Sequence, residues 1–95
     1  MKGSVAGRYV DSHDIYALKK LEPGEYMKYI NESGEAAWIG VCPIQTDEKL
    51  YVYLNDFAPV FKEGKLSCEK KIYAGAAGAG KYLWIGHLTN GQWRW

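Results

Sequence analysis

No apolar run in this 95-residue sequence approaches the ~20 residues that a membrane-spanning helix requires. Cysteine is scarce: Cys42 and Cys68, with 25 residues between them, make no disulfide framework of the kind that staples small secreted domains. The start, Met1-Lys2-Gly3-Ser4, lacks the apolar stretch of a signal peptide, so a cytoplasmic location with reduced thiols is expected. Only three prolines occur, and no linker, repeat or low-complexity tract interrupts the chain. One domain, residues 1–95, is expected. Strong net charge is absent as well: the formal balance is +1, which counts against a strongly basic nucleic-acid-binding domain.

Familiar catalytic and ligand-binding spacings are also missing. His13, Cys42, Cys68 and His87 are the potential soft-metal ligands, and no two have the close spacing of a structural zinc site, so no metal and no cofactor is expected. Asp11-Ser12-His13-Asp14 contains the residue types of a serine triad, but triad members converge from separate segments, and the cluster reads as a helix cap. Gly75-Ala76-Ala77-Gly78-Ala79-Gly80-Lys81 fits the letters of a phosphate-binding loop. Tyr82 stands where that loop needs Ser or Thr, and a strand pattern follows where it needs a helix. A nucleophile pairing Cys42 or Cys68 with His87 would need an accessible, electropositive thiol, whereas Cys42 lies in an apolar segment.

Aromatic residues, by contrast, are abundant, with four Trp and eight Tyr. They concentrate in Gly80–Trp95, where Asn90-Gly91 has the φ > 0 preference of a two-residue hairpin turn. Such a turn sets Leu88 opposite Trp93, His87 opposite Arg94 and Gly86 opposite Trp95. Alternation then gives one face to Tyr82, Trp84, Leu88, Trp93 and Trp95, and the other to Leu83, Ile85, His87 and Arg94. Both faces are largely apolar, so one is expected in the core and the other against a partner.

Elsewhere the pattern predicts a strand at Gly7–Val10, then a helix from Ser12 to Leu21 capped at Asp11 and stopped by Pro23-Gly24. Strands are expected at Glu25–Asn31, Ala36–Pro43, Lys49–Leu54 and Lys65–Ala74, with turns at Asn31–Gly34 and Glu63-Gly64. Trp38, Ile39 and Val41, in the most apolar of these, are expected in the core. The fold class is mainly β (α+β): a small antiparallel sheet or partly open barrel of five to seven strands, with one short helix near residues 12–21.

Charge divides along the chain. Residues 1–56 hold nine acidic against six basic side chains, and residues 57–95 hold two against six. A dipolar molecule of this kind steers an oppositely charged partner. The expected function is a non-catalytic module that docks on a larger protein of the host cell as a stoichiometric inhibitor or modulator, in the manner of phage or mobile-element anti-defence inhibitors. Its contact surface is predicted at Tyr82, Trp84, Trp93, Arg94 and Trp95, with Lys70, Lys71 and Lys81 steering the encounter. The alternatives are a barrel that stacks single-stranded nucleic acid on its aromatics and a small Cys/His enzyme.

Overall fold

Turn chemistry and period-two alternation cut the chain into ten short strands in the computed structural model, which describes residues 3–44, 48–76 and 82–95. In chain order they are β1 (Ser4–Ala6), β2 (Arg8–Tyr9), a helix α1 (Ile15–Lys20), β3 (Glu25–Ile30), β4 (Ala36–Val41) and β5 (Tyr51–Tyr53). A 3-10 turn η1 (Leu54–Phe57) leads to β6 (Pro59–Lys62), β7 (Lys65–Cys68), β8 (Ile72–Ala76), β9 (Tyr82–Thr89) and β10 (Gln92–Arg94). The mainly β expectation holds, in the form of small sheets without a closed barrel.

Ten strands exceed the expected five to seven for two local reasons. Gly7 interrupts the first strand and donates to the Gly91 carbonyl at 2.7 Å, so β1 joins one sheet and β2 the other. The expected strand over Lys65–Ala74 also breaks, because the amides of Glu69 and Lys70 turn back to the carbonyls of Ala58 and Phe57. The C-terminal sheet has the order β1-β10-β9-β8 and is antiparallel throughout. The second sheet runs β2-β3-β4-β5, with β2 parallel to β3, and β6 with β7 forms a separate hairpin.

Asn90 (φ 50°) and Gly91 (φ 74°) adopt the left-handed conformations that a two-residue hairpin demands. Leu88 consequently faces Trp93 and His87 faces Arg94, as the sequence predicts. Trp93 is wholly buried, and its indole Nε1 donates to the Gly24 carbonyl at 2.8 Å. Gly40 on β4 leaves space for that ring, since a Cβ there would come within 3.2 Å of it. Tyr26 and Val52 from the second sheet and Leu54 of η1 meet Ile72, Trp84, Leu88 and Trp93 from the first, with Leu66 and Cys68 of β7 completing the core. Val41 is in a second buried cluster as expected, whereas Trp38 and Ile39 are only half-buried.

The helix is shorter than predicted and its cap is Asp14, not Asp11. His13 explains the delayed start: its carbonyl accepts from Ile30 N, and its Nδ1 donates to the Lys28 carbonyl, which ties this segment to β3. Asp14, extended at φ −94° and ψ 164°, accepts from Ala17 N at 2.8 Å. Ala17, Leu18 and Leu21 then pack with Met27 and Val41 against the side of the second sheet that faces away from Trp93.

Candidate functional site: the outer face of the C-terminal sheet

Alternation along β9 decides which side chains are available to a partner. Trp84 (3% exposed), Gly86 and Leu88 (0%) point into the core, and Leu83 (58%), Ile85 (40%) and His87 point out. Register then assembles the neighbours: Tyr73 on β8 sits opposite Ile85, and Arg94 on β10 sits opposite His87. Lys71 Nζ lies 5.9 Å from the Tyr73 ring centre, and the Tyr82 ring lies 5.1 Å from the same ring. Arg94 is oriented by a bond from its Nη2 to Gln92 Oε1 at 3.3 Å.

The result is an apolar strip, Leu83-Ile85-Tyr73, bordered by Lys71, His87 and Arg94. No Asp or Glu occurs anywhere in β1, β8, β9 or β10. The side chains of these four strands are therefore neutral or basic, and the nearest acidic side chain before β8 is Glu69, ahead of Lys70-Lys71. Exposed aliphatic and aromatic side chains lying together on one regular sheet face mark an interaction surface more strongly than isolated ones do.

The structure revises the predicted contact residues. Trp84 and Trp93 belong to the core, where their rings meet edge to face at 5.6 Å, and are not surface contacts. Trp95 is half-buried, packs edge to face on Trp84 at 5.8 Å, and has its backbone tied to Gly3 through both Trp95 N and Trp95 O. It pins the last strand. Gly86 is covered by the Trp84 ring of its own strand, which a Cβ there would approach to within 2.7 Å. Tyr82, Arg94, Lys70 and Lys71 are exposed. Lys81 lies outside the described residues, as does residue range 77–81 of the glycine loop.

Leu83 and Ile85 lie on one of the two candidate faces in the sequence, yet they and Tyr73 are not among the predicted contact residues, which favour tryptophan for its frequency at binding hot spots. The signal was present in the alternation. A face bearing three tryptophans and Leu88 gains most from burial, which leaves the face of Leu83 and Ile85 outside.

Other chemistry-bearing groups are separated by the fold. His87 is on the outer face, while Cys42 and Cys68 are in the core. Burial pushes both thiols up, that of Cys68 to about 11, so neither is a thiolate at neutral pH. Among the described residues no three His, Cys, Asp or Glu side chains come together as a metal site. Tyr82–Thr89 is a strand, so the helix that a phosphate-binding loop requires does not follow Lys81. A second aromatic group, Tyr9, Trp38 and Phe61, has ring centres 4.7–6.0 Å apart between β6 and the second sheet, with its rings largely turned on one another.

Comparison with protein-family models, curated proteins and solved structures finds no match to this chain.

Proposed function

We propose that this protein is a non-catalytic binding module that docks on a larger protein through the outer face of β8 and β9. The observation that carries the reading is the Leu83-Ile85-Tyr73 strip: three exposed large apolar side chains on adjacent strands, rimmed by Lys71, His87 and Arg94. Apolar centre and charged rim is the usual anatomy of a protein interface. The rim's single sign favours a partner with acidic residues around an apolar patch. Face-to-face pairing of two copies would set one cationic rim against another, which disfavours self-association through this surface. Stoichiometric inhibition or modulation is the activity that such docking provides, since occupancy alone changes what the partner can bind.

Affinity capture from the native host cell, run in parallel with wild type and Ile85→Glu, tests this reading. A partner retained by the wild type should be lost from the variant while thermal unfolding is unchanged. Equal recovery by both would remove the face from consideration.

The Tyr73–Tyr82 ring pair with Lys71 beside it supports a second reading, in which single-stranded nucleic acid stacks on the same face. Titration of a labelled oligonucleotide at several salt concentrations separates the two. Nucleic-acid binding predicts an affinity that falls steeply with salt and is weakened by Lys71→Ala.

A further inference from the structure

The outer strand of this face, β8, has one backbone edge with no strand paired to it among the described residues. Gly3 and Trp95 exchange both of their backbone bonds, and the Asn90-Gly91 turn closes on Thr89 and Gln92, which fixes the hydrogen-bonding parity of the sheet. By that parity Ile72 and Ala74 bond to β9, and the N–H and C=O of Tyr73 point away from the sheet. Among the described residues β9 alone pairs with β8, and no turn or loop group bonds to either Tyr73 group. Elsewhere the protein closes such a gap: where β5 ends, Asn55 Oδ1 takes Trp38 N at 2.8 Å and Asn55 Nδ2 reaches the Ala36 carbonyl. The β6 edge carries Pro59, which has no N–H to offer.

We propose that the β8 edge receives an extended, acidic segment of the partner protein as an added strand. This inference rests on the docking reading above and specifies its mode. An extended segment at this edge gains main-chain bonds from Tyr73 and places alternate side chains beside Tyr73, with Ile85 on the next strand. Lys70 and Lys71, both exposed, immediately precede the edge, so carboxylates in the added strand meet cations there. Gly75, at φ 69°, bends the strand and sets the length of straight edge at about Lys71–Gly75.

The probe is an amidated, acetylated octapeptide of alternating Glu and Val, with two derivatives N-methylated at every Glu or at every Val. Alternate amides of a strand face the same edge, so one derivative should bind like the parent and the other should bind at least about tenfold more weakly. Proton-exchange NMR should show the Tyr73 amide slowed by the parent peptide. Shifts at Leu83 and Ile85 with equal binding of all three peptides would overturn strand addition and leave the face reading standing. No shift at any residue up to millimolar peptide would overturn the acidic-strand proposal, with the Ile85→Glu capture experiment still deciding the face. Sedimentation of the chain alone should give a monomer; a dimer abolished by Tyr73→Pro would assign the edge to a second copy and overturn the proposal.

Discussion

Truncating Trp93 to Ala would empty a site bounded by Gly7, Gly24 and Gly40 and remove the donor that satisfies the Gly24 carbonyl. The expected loss is about 3–5 kcal/mol in denaturant unfolding, the range for buried aromatics. Trp95→Ala should cost less, about 1–3 kcal/mol, because the ring is only half-buried, and should leave partner binding intact. Cys68 supplies a pH dependence. Its folded thiol is raised to about 11 from an ordinary 9.0, so between those values the unfolded chain gives up a proton that the folded chain keeps. Stability is therefore complete below pH 9 and falls as pH rises toward 11, with Cys42 and the desolvated Tyr26 hydroxyl adding in the same direction. Thermal melts of wild type and Cys68→Ala from pH 7 to 11 should converge as the pH rises.

Turns and caps define the elements. Gly91→Ala places a Cβ at φ 74° and within 2.8 Å of the Tyr26 hydroxyl, so destabilisation by about 1–3 kcal/mol is expected from chemical denaturation. Asp14→Ala should lower stability by roughly 1 kcal/mol through loss of the bond to Ala17 N, whereas Asp11→Ala should have little effect. The contrast reports how far the elements were legible in the sequence. Asn90-Gly91 fixed its hairpin because its φ demand is local and few residues meet it. Leu50, Val52 and Leu54 alternated against Tyr51 and Tyr53, and burial follows that alternation. The helix start was misplaced because Asp11 and Asp14 are equivalent as caps until β3 binds His13. Which hairpin face is core is left open by the sequence for a related reason: two apolar faces can be ranked only by what lies opposite, and Gly40 and Gly24, which border the Trp93 ring, are distant in sequence. Tyr73 became part of the surface only through its register with Ile85.

At the scale of the molecule, the acidic first part of the chain builds the second sheet and its helix, and the basic remainder supplies three of the four strands of the C-terminal sheet. Burial of the tryptophans in the core leaves Leu83, Ile85 and Tyr73 as the apolar centre of the cationic side. Ile85→Glu should weaken the partner complex by about 2 kcal/mol or more, the scale of an interface hot spot, without moving the unfolding midpoint. Tyr53→Glu, on the exposed side of the opposite sheet, should leave affinity unchanged in the same titration. The most direct measurement is amide hydrogen exchange of the protein alone and in complex with its captured partner. Slowed exchange at Tyr73 and across Leu83–His87, with β3 and β4 unaffected, is the predicted pattern. Protection confined to α1 and the second sheet, with β8 and β9 exchanging as in the free protein, would contradict the assignment of the docking face.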